Sequence, residues 1–153
     1  RVYNDECTCF SELRELLKSI TPTNVEFKSA FQSTRVSKTQ LSRYYLRSLE
    51  MAATAVPEPW FFPSDDREII NLEHVLPKST EGNWQQFSED EHKLLVNRLG
   101  NQALLRASDN SNIKSADFAT KKLTFAQSPY QLTSEIAKYD QWSAAEINIR
   151  QQQ

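Results

Sequence analysis

The sequence predicts an α+β domain, mostly helical, with one small hairpin-helix unit set in its middle. Three observations carry this expectation. Apolar residues recur at helical spacing near both ends of the chain. Between them, Ile69 to Val75 is rich in β-branched residues, is too short for a helix, and stops at Pro77. Further on, Gly100 separates a short helical stretch from Gln102–Leu105, a second apolar run able to pair back with the first.

A chain of 153 residues suits one domain with a real core. Its 39% hydrophobic and 25% charged shares are ordinary for a globular protein. With only 2 glycines, loops that cradle phosphate on glycine backbone are disfavoured. No apolar stretch approaches the ~18 residues that a membrane span needs. Cys7 and Cys9 are too close for a good disulfide, and no second pair completes a zinc site. An intracellular setting fits. Opening on Arg1 rather than Met points to a piece of a longer protein.

The elements follow in order. Phe10, Leu13, Leu16, Leu17 and Ile20 predict a helix over about 8–20, stopped by Thr21-Pro22-Thr23. Asn24 is expected to cap a short helix carrying Val25, Phe27 and Phe31. Ser37-Lys38-Thr39-Gln40 reads as a capping box for a longer helix, with Leu41, Tyr45, Leu49 and Ala52 turned to the core. Pro57, Pro59 and Pro63 end that frame in a loop bearing Trp60, Phe61 and Phe62. After the first strand comes a loop anchored by Trp84, then a helix opened by the capping box Ser88 to Glu91. Gly100 marks a stop that calls for positive φ. Asp109 and Asn110 read as a turn, and Ser115 as the cap of a helix with Phe118, Leu123 and Phe125. Two more helices follow, over 133–139 and from Ser143 to Arg150. The expected layout is one domain over 1–153, with a frame at about 8–56, a strand-strand-helix core at about 68–126 and C-terminal helices at about 131–150.

The chemistry concentrates where the strand ends. Glu73 is a hard oxygen donor suited to a divalent cation. His74 titrates near neutrality and can serve as a general base. Consecutive strand residues face opposite ways, but a chain that turns at the strand end lets both reach one pocket. Asn101, just after Gly100, and Asn110 carry amide oxygens, which are competent neutral ligands. A carboxylate and an amide on one cation, with a histidine nearby, make a one-metal phosphodiesterase arrangement. Taken singly, each has a plainer reading: a hydrogen-bonded histidine, a helix stop, a turn asparagine.

The series Glu73-His74-Val75-Leu76-Pro77, Leu99-Gly100-Asn101 with Leu104-Leu105, and Asn110 resembles the HNH (His-Me finger, or ββα-metal) endonucleases, in the variant with Asn at the third position. It is most similar to the C-terminal nuclease domain of GmrSD-type modification-dependent restriction enzymes and of the related phage-defence protein SspE. Tyr45-Leu46, Leu49-Glu50, Phe118, Lys121, Leu132-Thr133, Ile136, Trp142, Ile147 and Arg150 extend the likeness over most of the chain.

The resemblance implies roles. His74 would activate water, Glu73 and Asn110 would hold the metal, and Asn101 would brace the loop that bears the histidine. Lys121 matches a family lysine. Lacking a third histidine, the set favours Mg²⁺ or Mn²⁺ over zinc. The implied activity is DNA nicking, in the cytoplasm of a bacterium, against phage or foreign double-stranded DNA. An N-terminal sensor or NTPase domain of the same protein would be the partner, and no membrane is involved.

A net charge of −2 gives no overall attraction to DNA. The stretch from Phe27 to Leu49 has no acidic residue, so Arg43 and Arg47, four apart on one helix, are the expected phosphate contacts. Lys78, Arg106, Lys114, Lys121 and Lys122 flank the site in sequence. The competing expectation is a non-catalytic helical module that binds nucleic acid or protein, with Glu73 and His74 as a structural pair.

Overall fold

The computed structural model describes residues 8–55, 66, 69–80 and 82–153. Cys7 and the expected aromatic loop (Pro57, Pro59, Trp60, Phe61, Phe62, Pro63) lie outside those residues. The chain forms two compact units, 1–33 and 34–153, each described by itself.

The first unit carries α1 (Phe10–Leu17) and α2 (Asn24–Phe31). Thr23, rather than Asn24, caps α2: its hydroxyl accepts from Glu26 N at 3.2 Å while Glu26 Oε2 accepts from Thr23 N at 2.7 Å. That reciprocal pair is a capping box, which a following Glu at the third helical position makes possible. No residue of either helix is buried.

The second unit is built on a two-stranded antiparallel ribbon, β1 (Ile70–His74) and β2 (Gln102–Arg106), with Glu73 opposite Ala103 and His74 opposite Gln102. Helices surround it: α3 (Thr39–Thr54), α4 (Glu89–Leu95), α5 (Ala107–Ile113), α6 (Phe118–Ala126), α7 (Gln131–Ser134) and α8 (Ala144–Gln152). Single 3₁₀ turns occupy Leu99–Asn101 and Glu135–Lys138. The mixed, mostly helical class expected from the sequence is the class found. Among the described residues, no helix is long and apolar enough to cross a membrane.

Alternation along the ribbon sorts the core into two sides. Ile70 and Leu104 pack with Leu46 of α3. Ala103 and Leu105 pack on the other side with Val75, Leu76, Trp84, Phe125, Ile136, Trp142 and Ile147. The long loop before α4 is pinned as expected: Trp84 is buried and donates Nε1–H to Ala116 O at 3.1 Å.

Several expectations are corrected. The face of α3 that turns inward holds Ser42, Arg43, Leu46 and Glu50, while Leu41 and Leu49 are exposed. The polar residues are tolerated there because they have partners: Glu50 Oε1 and Oε2 accept from Gln131 N and Leu132 N at 2.5 and 2.9 Å. Asn110 lies inside α5, not in a turn. Asp117, not Ser115, caps α6, accepting from Thr120 N at 2.7 Å. Gly100 has no positive φ. Its missing side chain serves close packing instead, since a Cβ there would stand 2.2 Å from Ile147 O of α8. Arg150 of α8 then clamps the turn, donating Nη1 hydrogens to Gly100 O at 2.7 Å and Gln102 O at 2.8 Å.

Candidate nuclease site

Asn101, His92, Glu73, Lys121 and His74 close the end of β1. The Asn101 side chain is fully buried and uses its whole hydrogen-bonding capacity. Oδ1 accepts from Leu76 N at 2.7 Å and from Trp142 Nε1 at 3.1 Å. Nδ2 donates to Leu76 O at 2.9 Å and to Val96 O at 3.1 Å. The amide thus ties the backbone two residues past His74 to the end of α4 and to the tryptophan before α8. His92, to which the sequence reading assigns no role, adds a second tie through Nε2 and Pro77 O, 2.8 Å apart.

Glu73 is buried, and its carboxylate is met by Lys121 of α6. Lys121 Nζ donates to Glu73 Oε1 at 2.5 Å and to His74 O at 2.8 Å. The ammonium lies 5.8 Å from the centre of the Trp84 ring and has no solvent exposure. Burial pushes the Glu73 carboxyl above its ordinary range despite that cation, and burial likewise pulls the Lys121 ammonium down against the pull of Glu73.

His74 turns the other way. Strand pairing persists through His74, so the alternation holds to the last residue of β1, and its side chain shares a face with Gln102. Glu73 and His74 therefore reach the end of β1 from opposite faces of the ribbon. Gln102 Nε2 donates to Val36 O at 2.9 Å and lies 3.4 Å from His74 Nε2. Burial first, then the Lys78 and Lys121 charges, lower the imidazole to about 4, which leaves it neutral at pH 7.

The other expected site residues are placed as follows. Asn110 is half-buried on α5. Lys78 and Lys114 are exposed. Arg47 is half-buried, and Lys122 Nζ lies 3.8 Å from Asp140 Oδ1. Arg43 and Lys121 are buried and so cannot present their charges to a phosphate. Lys121 belongs to the inside of the site. A signal for this exists in the sequence: it stands between Phe118 and Phe125 on the apolar stripe of α6, and a buried lysine needs an acid. Among the described residues, no group of three or more His, Cys, Asp and Glu side chains is placed to hold a metal ion.

A consequence concerns the ion pair. Lys121→Met leaves a buried carboxylate without its cation, and breaking such a pair costs about 3–5 kcal/mol. The variant is expected to show that loss in urea denaturation, and adding Glu73→Gln should recover most of it. Wild-type stability in the single variant would contradict the pairing.

A small antiparallel hairpin followed by helices, with an acid and a neutral imidazole buried at its strand end, defines a domain built around one compact polar site. The chain matches the family described as GmrSD restriction endonucleases, C-terminal domain, over residues 21–153. It belongs to that family, and so is a nuclease domain of a restriction endonuclease. No curated protein matches the chain.

Proposed function

We propose that this domain is a metal-dependent DNA endonuclease of the HNH type that nicks one strand of duplex DNA per event. Its service is in modification-dependent restriction or phage defence in the bacterial cytoplasm, beside an N-terminal sensor or NTPase domain. The observation that carries the reading is the buried imidazole of His74 at the end of β1, in a loop fixed by Asn101.

His74 is the general base. Its lone pair takes the proton of a water molecule, and the resulting hydroxide attacks phosphorus in line as the bond to the leaving 3′ oxygen breaks, that oxygen taking a proton from solvent. Burial keeps the ring unprotonated, and Gln102 and the Asn101 brace limit its movement. Asn101 acts through position and touches no substrate.

Glu73 and Asn110 are the residues that would hold a divalent cation, Mg²⁺ or Mn²⁺, since carboxylate and amide oxygens are hard donors. The fit has one structural condition, because Glu73 Oε1 is engaged by Lys121. A cation bound there would share the carboxylate with the Lys121 ammonium. When bound, the ion supplies stabilisation of the charge that develops on the scissile phosphate. Lys78, Lys114, Lys122 and Arg47 remain the proposed contacts to the DNA backbone near the site.

Metal removal tests the reading. Supercoiled plasmid incubated with Mg²⁺ or Mn²⁺ should yield open circle before linear product, and EDTA should stop the reaction. Linear product appearing first, or cleavage that persists in EDTA, would contradict it.

A further inference from the structure

We propose that Asn71 is a further ligand of the divalent cation, offering its side-chain oxygen beside Glu73 and Asn110. The proposal rests on the nuclease reading above and adds a donor to its metal site.

Asn71 is out of place by the ordinary rules of a strand. It interrupts the apolar run Ile69-Ile70-Asn71-Leu72, and asparagine is depleted from strands. Its side chain is half-buried, and it makes no hydrogen bond among the described residues. Polar groups drawn into a fold are ordinarily paired. A residue that breaks a local preference with no structural partner to compensate points to function.

The register places it where a donor is wanted. Asn71 stands opposite Leu105, and Glu73 opposite Ala103. Alternation puts Asn71 and Glu73 on one face of the ribbon and His74 with Gln102 on the other. Helix α5 covers the Glu73 face: it packs on both strands, and its Ile113 belongs to the buried cluster of Ala103 and Leu105. Asn110 precedes Ile113 by one helical turn and so lies on the same side of α5. Its side chain, too, makes no hydrogen bond among the described residues. Asn71, Glu73 and Asn110 are thus brought to the layer between the ribbon and α5.

The chemistry suits a third donor. Lys121 engages Glu73 Oε1, so Oε2 is the other oxygen that this carboxylate can offer. Mg²⁺ and Mn²⁺ prefer octahedral sets of oxygen, which one carboxylate oxygen and one amide leave mostly unfilled. An amide at position 71 supplies a hard oxygen without setting a second negative charge beside the buried Glu73.

The test titrates Mn²⁺ into the full chain without DNA and follows free Mn²⁺ by its electron paramagnetic resonance signal. Wild type is compared with Asn71→Val, Asn71→Asp, Asn110→Ala and the control Asn112→Ala, at an exposed position of α5. Valine suits a strand, so Asn71→Val should melt no lower than wild type. It should bind Mn²⁺ at least about tenfold more weakly, a loss already typical of a residue that only supports a ligand. Asn71→Asp keeps an oxygen there and should bind at least as tightly as wild type, and the control should match wild type. Wild-type affinity in Asn71→Val, or an equal loss in Asn71→Asp, overturns the assignment, and a loss confined to Asn110→Ala then leaves the metal reading standing. A wild type that takes up no Mn²⁺ also overturns the assignment, and plasmid cleavage by the same preparation then decides the nuclease reading separately.

Discussion

Asn101→Ala should destabilise the second unit more than any other single truncation at the site. The substitution leaves Leu76 N–H, Leu76 C=O, Val96 C=O and the Trp142 indole N–H without their partner, all in the interior. A buried polar group left unsatisfied costs about 1–3 kcal/mol. Four of them together should remove at least about 4 kcal/mol, a large part of the ~5–15 kcal/mol that holds an ordinary domain folded. Thermal unfolding is expected to shift down by well over ten degrees, on the order set by the stability change for a domain of this size. Asn101→Asp retains the two acceptor contacts of Oδ1 and loses both donated bonds, so it should fall between alanine and wild type. Asn110→Ala should leave thermal stability nearly unchanged while lowering activity. Equal thermal losses at the two asparagines would contradict the bracing role of Asn101.

The second large effect is on rate. His74→Ala removes the one neutral imidazole at the end of β1, and general base catalysis contributes roughly 10²–10⁴-fold. Cleavage should fall by that factor. Stability should not fall with it, because the strongest ties at this point run through the His74 carbonyl to Lys121 and through Asn101, and alanine retains the backbone. DNA affinity should also hold, which separates a lost base from a lost surface. His74→Gln, which keeps polarity without a titratable nitrogen, should be as inactive as alanine.

Much of this architecture was legible from residue order. Pro77 and the β-branched run mark β1, the capping boxes at Ser88 and Ser143 mark α4 and α8, and Gly100-Asn101 marks the return to β2. The side chains of Glu73 and His74 were legible as a site but not as a geometry. Whether a strand end still alternates depends on how far its pairing extends, and here the Val75 N–H also bonds Asn101 O at 2.9 Å. The face of α3 was misread because its apolar residues suggest one stripe, while the buried stripe is set by distant partners such as the α7 backbone that Glu50 caps. The same limit applies to Arg43. A basic residue in an acid-free stretch looks like a DNA contact until burial removes it from the surface. Gly100 shows the converse case: position along the chain identified the residue, but only the nearness of α8 identifies the reason.

The central claim is that a nuclease site is centred on His74. Its most direct test is the nicking rate of supercoiled plasmid by wild type and His74→Ala, at equal concentration of folded protein, with Mg²⁺ or Mn²⁺ supplied. Open circle should accumulate with wild type, and at a rate about 10²–10⁴-fold lower with the variant. A His74→Ala protein that nicks as fast as wild type would contradict it.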